Sequence, residues 1–90
     1  MAVAIVLINV VAQETNRVAE DLSSISGVSE VYSVAGNYDL VAVVRVKDND
    51  ALAELVTDQM RRVSGITRTE TLIAFRAYSR HDLNSLFDMN

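Results

Sequence analysis

The chain contains no cysteine. That excludes a disulfide framework and any thiolate metal site, and it leaves the redox compartment open. Histidine is nearly absent too: His81 stands alone between Arg80 and Asp82 near the C-terminus. A single histidine in a terminal stretch reads as a solvated surface residue and cannot anchor a Ser/His/Asp set. The three glycines, Gly27, Gly36 and Gly65, are isolated from one another, so no phosphate-cradling loop is present. Carboxylates are scattered along expected helix faces and caps, so neither a metal site nor a cofactor is expected. Cations are outnumbered, 8 Lys and Arg against 12 Asp and Glu, for a net charge of −4. A nucleic-acid surface needs a clustered excess of cations, so no direct DNA binding is expected. The one adjacent basic pair, Arg61-Arg62, falls at the end of an expected helix, where it complements the helix dipole. The apolar run Ala2–Ala12 is too short to cross a bilayer and has no basic segment before it, so no membrane contact is expected and a cytoplasmic location is.

What the chain does have is apolar residues, 50% of the total. Ninety residues make one domain, and a domain that small hides only part of its surface, so this richness predicts a second surface buried against a partner. Val3–Val11 is a continuous, largely β-branched run and reads as a buried strand. Thr15 or a neighbour caps a short helix with Val18, Leu22 and Ile25 on one stripe, and Gly27 is suited to the left-handed position that ends it. Val28–Ala35 reads as a second strand, Gly36-Asn37-Tyr38-Asp39 as a tight turn, and Leu40–Val46 as the third strand of a hairpin. Asp48-Asn49-Asp50 supplies a cap and an acidic first turn to a second helix with Leu52, Val56, Met60 and Val63 on its stripe. Ile66–Tyr78 reads as a long fourth strand. The tail 79–90 carries Leu83, Leu86 and Phe87 at amphipathic spacing.

The chain also repeats itself. One shift lays Ile25-Ser26-Gly27-Val28 on Val63-Ser64-Gly65-Ile66, Ala4-Ile5-Val6 on Ala42-Val43-Val44, Val18 on Val56 and Leu22 on Met60. Each half is strand–helix–strand. Two such halves interleave as an α+β, ferredoxin-like βαββαβ sandwich, a four-stranded antiparallel sheet with both helices on one face. Strands covered on one side only should alternate apolar and polar residues. These do not: Val3, Ile5, Leu7 and Ala4, Val6, Ile8 are apolar alike, as are both sides of Leu40–Val46. The bare face is therefore expected to pack on the sheet of a second subunit, most simply about a two-fold axis, leaving the fourth strand and tail to cross over.

Two features carry polar chemistry. In the turn, Gly36 and Asn37 tolerate positive φ, and Asp39 either anchors the turn or neutralises a ligand's ammonium group; Tyr38 needs something to pack on or to hydrogen-bond. Thr67, Thr69 and Thr71 alternate along the fourth strand. High β-propensity accounts for them without function, yet hydroxyls beside apolar walls also make a small-molecule pocket.

Taken together, the turn and strand Gly36–Val46, the Leu52–Val63 helix and the segment from Ser64 to Thr71 resemble the C-terminal effector-binding (RAM) domain of the Lrp/AsnC transcriptional regulators. The resemblance runs from the first strand through Tyr78, so residues 1–78 are expected to form that domain and 79–90 a tail. It implies dimers formed through the sheet faces, dimers assembled into rings, and an amino-acid effector held between dimers. By position it implies effector contacts at Gly36, Asn37, Tyr38 and Asp39 and at Thr69 and Thr71, with Ile73 and Ala74 near the pocket wall. Asp39 would take the ligand's amino group, and turn amides and threonines its carboxylate. Full-length regulators carry a helix-turn-helix before this domain, whereas here the first strand begins at once. The chain is thus similar to stand-alone members, which would act through the ring of a full-length Lrp/AsnC regulator, through another protein or by buffering the effector. Three other readings stay open on the sequence: an assembly module without ligand, an ACT-type sensor, and a small dimeric α+β-barrel enzyme. Ala12-Gln13-Glu14-Thr15 lacks the glycine usual after the first ACT strand, and the strand interiors offer an enzyme almost only aliphatics.

Overall fold

A computed structural model describes residues 1–78 and Arg80. The order is β1 (Ala2–Val10), α1 (Thr15–Ser23), β2 (Val28–Ser33), β3 (Leu40–Val46), a second helix and β4 (Ile66–Ile73). The sheet runs β2-β3-β1-β4 with every neighbouring pair antiparallel. This is the ferredoxin-like βαββαβ fold the half-repeats predict.

Register decides which side chains meet. Ile5 stands between Val43 and Leu72, and Leu7 between Val41 and Glu70, while Val6 stands between Ala42 and Thr71. Ala4, Val6, Ile8, Leu40, Ala42 and Val44 are wholly buried, and with Val18, Leu22, Leu52, Leu55 and Met60 they form the core under the helices. The other set of alternate residues lies on the side the helices leave open. Val3, Leu7, Val41 and Val43 are half-buried there, and Ile5 and Leu72 are 39% and 46% exposed. The strip is apolar at its centre and charged at its ends. At one end Glu30 accepts from the Tyr32 hydroxyl at 2.6 Å and pairs with Arg45 at 3.3 Å.

The second helix departs from the expected stripe. It begins as α2 (Asn49–Glu54), capped by the Asp48 carboxylate, which accepts from the Ala51 amide at 2.8 Å. It then widens into a π-helical turn over Leu55–Gln59 and tightens into a 3-10 turn over Met60–Arg62. The cause is visible in the core positions. Leu55 and Met60 are both buried, and five residues of regular α-helix would rotate about 140° past a full turn. The Met60 amide instead donates to the Leu55 carbonyl, which brings both side chains to the same face. Val56 is left half-buried at the flank.

Boundaries also differ: β1 covers Ala2–Val10 rather than Val3–Val11, and three further elements shift. α1 starts after Glu14 without a side-chain cap, so Thr15 is its first residue rather than its cap. β2 ends at Ser33, not Ala35, because the turn is closed early by the Val34 amide donating to the Asp39 carbonyl at 3.0 Å. β4 ends at Ile73, not Tyr78, and the Ala74 amide just past it donates to the Val3 carbonyl at 2.9 Å. Phe75 and Tyr78 are exposed beyond it. His81, Leu83, Leu86 and Phe87 lie outside the described residues.

Candidate functional site

The turn that links β2 to β3 is fastened to the end of β1. Gly36 sits at φ +138°, a conformation that suits a residue without a Cβ. The Asp39 amide donates to the Ile8 carbonyl at 2.9 Å, and Asp39 Oδ2 accepts from the Val10 amide at 2.9 Å. A carboxylate accepting a backbone N–H closes the turn onto β1, so the anchoring role is realised in the geometry. Val11 continues the belt by donating to the Gly65 carbonyl at 2.8 Å, and Arg17 Nη2 donates to the Ser64 carbonyl at 2.9 Å. Turn, β1, the end of the second helix and the start of α1 are thus tied together at one end of the sheet.

Tyr38 finds its partner across the open face. Its hydroxyl donates to Glu70 Oε1 at 2.6 Å, and the Arg68 guanidinium carbon lies 5.8 Å from the centre of its ring. The hydrogen bond to Glu70 holds the Tyr38 phenol above its ordinary range, with some desolvation adding to this and Arg68 opposing it. Glu70 was not singled out by sequence reasoning. Its signal is the i, i+2 relation to Arg68, which places both on the face opposite to Thr69 and Thr71.

Thr69, Thr71 and Ile73 pair with Ile8, Val6 and Ala4, so they stand on the helix side of the sheet, along its free edge. The pairing skips one residue there, from Asn9 with Arg68 to Val10 with Ile66, and Thr67 is the residue left over. Between this edge and the second helix lie two adjoining hollows of one groove. One, about 300 Å³, lies among Val56, Met60, Arg61, Thr67 and Thr69; the other, about 200 Å³, lies among Leu52, Ala53, Thr71 and Ile73, and Val56 and Thr57 line both. Gly36, Asn37, Tyr38, Asp39 and Ala74 line neither. One chain therefore divides the expected site residues into the turn, with Tyr38 on the open face, and Thr69, Thr71 and Ile73 in the groove. Thr57 and Arg61 were missed as site residues: the helix dipole already accounted for Arg61, and Thr57 lies off the expected apolar stripe.

Such an arrangement can bind. Hydroxyls stand beside aliphatic walls, with Arg61 and Arg68 both lining the larger hollow, as small-molecule sites require. Among the described residues, no three His, Cys, Asp or Glu side chains come close enough to hold a metal ion, and no helix is long and apolar enough to cross a membrane.

The chain resembles known proteins over almost its whole length. Residues 3–83 match the model of the Lrp/AsnC ligand binding domain. An uncharacterized HTH-type transcriptional regulator of Pyrococcus horikoshii is 38% identical over 58 residues, covering 64% of this chain and 39% of the regulator. The chain thus spans about two-fifths of the curated regulators it matches first. A crystal structure from Thermus thermophilus superposes with a TM-score of 0.82 at 46% identity, covering 89% of this chain and 100% of that one. The feast or famine regulatory protein of M. tuberculosis, solved in complex with L-methionine, is 29% identical with a TM-score of 0.73, covering 89% of this chain and 54% of that one. By fold, by sequence and by the extent of the match, the chain belongs to the Lrp/AsnC ligand-binding domain family.

Proposed function

We propose that the chain is an amino-acid-binding regulatory module that works as an oligomer. The observation that carries the ligand is the groove along β4, where threonine hydroxyls and Arg61 face apolar walls in a space sized for a small molecule. The complex of the M. tuberculosis relative with L-methionine supports an amino acid as that molecule. Thr69, Thr71 and Ile73 act from the groove, whereas Ala74 lines neither hollow. Gly36, Asn37, Tyr38 and Asp39 act from the turn of another copy, since in one chain they do not line the groove. Asp39 Oδ1, which has no side-chain hydrogen bond among the described residues, takes the ammonium group.

Pairing uses the open sheet face. An apolar strip with Ile5 and Leu72 uncovered is stabilised by burial against its own copy, and a self-complementary face closes into a two-fold dimer. Dimers then join as a ring that brings turn and groove together. With a net charge of −4, these ninety residues leave DNA contact to a full-length Lrp/AsnC regulator in the same assembly.

Light scattering and a thermal-shift screen of the twenty amino acids test this reading. The expected result is an oligomer whose melting point rises with at least one amino acid, because a ligand bound only by the folded state must stabilise it. Leu7→Glu, on the open face, is expected to give a folded but smaller species, whereas Val6→Glu, in the core, is expected to unfold. A monodisperse wild-type monomer at micromolar concentration would refute the pairing. No response to any amino acid at millimolar concentration would refute the sensing.

A further inference from the structure

We infer that the chain has a second ligand site, a hollow that takes the guanidinium and the carboxylate of L-arginine together. The hollow measures about 360 Å³ and lies among Ser26, Gly27, Val46, Lys47, Glu54 and Gln59. It is on the opposite flank of the second helix from the groove along β4 and shares no residue with it. Its chemistry is legible from the internal repeat. The shift that lays Ser26-Gly27 on Ser64-Gly65 also lays Leu55 on Arg17 and Gln59 on Asp21. Each half of the chain therefore builds the same corner, a Ser-Gly bend against a helix, and the two corners are furnished differently.

In the corner at Ser64-Gly65 a guanidinium is already in place. Arg17 Nη2 donates to the Ser64 carbonyl at 2.9 Å and Nη1 to Asp21 Oδ2 at 2.9 Å, and a Cβ on Gly65 would stand 2.7 Å from that Nη2. A planar fork sends two N–H groups to two acceptors at once, which the compact ammonium of a lysine does not match. In the corner at Ser26-Gly27 the counterpart of Arg17 is Leu55, which the π turn carries into the core, where it is 2% exposed. Leu55 has no donor; its Cδ1 and Val46 Cγ1 are what a Cβ on Gly27 would meet, at 2.7 Å and 2.9 Å. The acceptors stay. No protein group donates to the Ser26 carbonyl among the described residues, and Gln59 brings an amide oxygen in the place of Asp21.

The walls set the charge of the guest. Arg45 borders the hollow with its backbone: its carbonyl lies 3.9 Å from the Gly27 Cβ position, while its guanidinium pairs with Glu30 on the open face at 3.3 Å. That leaves Glu54 and Lys47, an acid and a base that make no ion pair among the described residues. Glu54, Gln59 and the Ser26 carbonyl suit a guanidinium, and Lys47 suits a carboxylate, so a guest carrying both groups gains charge-assisted hydrogen bonds at both ends. A ligand with an ammonium in place of the guanidinium, or without the carboxylate, meets only part of the set. The volume is at the small end for ligand sites and suits one amino acid.

Methyl NMR of the intact chain, titrated with L-arginine, L-lysine and agmatine, tests this, because the methyl groups of Leu55 and Val46 border the hollow and those of Ile73 border the groove. L-Arginine at millimolar concentration is expected to shift the Leu55 and Val46 signals saturably. L-Lysine, and agmatine, which lacks the carboxylate, should each need about tenfold more, the range for a lost hydrogen bond to a charged group. Gln59→Leu should weaken arginine by a similar factor. Glu54→Lys, at an exposed residue away from the core, should weaken it about fivefold or more. Circular dichroism confirms that the variants fold, and Glu54→Lys alone decides if Gln59→Leu does not. Leu55 and Val46 signals that stay still with arginine, or that move as readily with lysine, would overturn the site. So would an arginine response confined to Ile73, which is binding in the groove, or one left unchanged by Glu54→Lys. Agmatine binding as tightly as arginine would overturn the carboxylate contact at Lys47. Because hollow and groove share no residue, each of these results leaves the amino-acid reading of the groove standing on its own test.

Discussion

Replacing Asp39 by alanine separates an anchor from a ligand contact. Asp39 Oδ2 accepts from the Val10 amide at 2.9 Å, and both residues are half-buried. A hydrogen bond to a charged group contributes about 1.5–3 kcal/mol, and partial exposure lets water replace some of it, so a loss of about 1–2 kcal/mol is expected. For a domain this size, each kcal/mol moves the melting point by roughly 4–8 °C, so Asp39→Ala should melt roughly 5–15 °C lower. Asp39→Asn keeps an acceptor oxygen and should lose less. The assay is thermal or urea unfolding followed by circular dichroism without ligand, at one fixed protein concentration, because the stability of an oligomer depends on it. The anchor reasoning is refuted if Asp39→Ala unfolds within about 0.5 kcal/mol of wild type, the spread of ordinary surface substitutions. If both variants keep their stability yet lose amino-acid binding, Asp39 serves the ligand alone.

Gly65 is at φ +96°, and a Cβ there would stand 2.7 Å from Arg17 Nη2 and 3.1 Å from Val18 Cγ2. Gly65→Ala should therefore cost about 1–3 kcal/mol in urea unfolding, and an unchanged midpoint would show that the left-handed turn is not required. The tyrosines make a second test, since there are three and no tryptophan. Tyr38 and Tyr32 are each held above the ordinary phenol value of 10.0 by hydrogen bonds to Glu70 and Glu30. Their contribution to stability is therefore full below that value and lost as pH rises through the raised one. Glu30 is held below the ordinary carboxylate value by its bonds to Tyr32 and then Arg45, so its contribution is present above that value and lost as pH falls through the lowered one. Glu70→Gln should return one tyrosine's ultraviolet titration toward the ordinary range, and three unmoved midpoints would exclude the Tyr38–Glu70 bond.

The strands were readable because their pattern has one simple cause. A run such as Val3–Val10 can hide its aliphatics only in a sheet, and the repeat of Ser-Gly before β2 and β4 marks where each helix must stop. The Asp48 cap was readable for the same local reason. The interior of the second helix was not. Leu52, Val56, Met60 and Val63 satisfy a regular stripe, and only the competing burial of Leu55 five residues before Met60 selects the π turn. The candidate site was half readable. The threonines announce a hydroxyl row, but the side of the sheet they take depends on the pairing of β4 with β1, a long-range fact absent from local pattern. Tyr38 asks for a partner in sequence; that the partner is Glu70, thirty-two residues away, only the fold supplies.

Strand β4 serves both proposed surfaces at once. Its alternate residues Arg68, Glu70 and Leu72 face the open side, and Thr69, Thr71 and Ile73 face the groove. A slip of one residue would exchange the two sets, carrying Leu72 into the groove and the threonines onto the pairing face. The skipped pairing at Asn9 and Val10 confines the irregularity to Thr67, so the register beyond it is continuous through Ile73. Because the strand is shared, a ligand in the groove and a partner on the open face act on one element. If the ligand binds the paired chain more tightly than the free chain, pairing must tighten by the same factor when the ligand is present. Such coupling would run from the groove through β4 to Glu70, whose carboxylate accepts from Tyr38, and on to the turn that Asp39 fastens to β1. Tyr38→Phe removes that link while leaving the ring on the sheet, and so separates a coupled module from two independent surfaces.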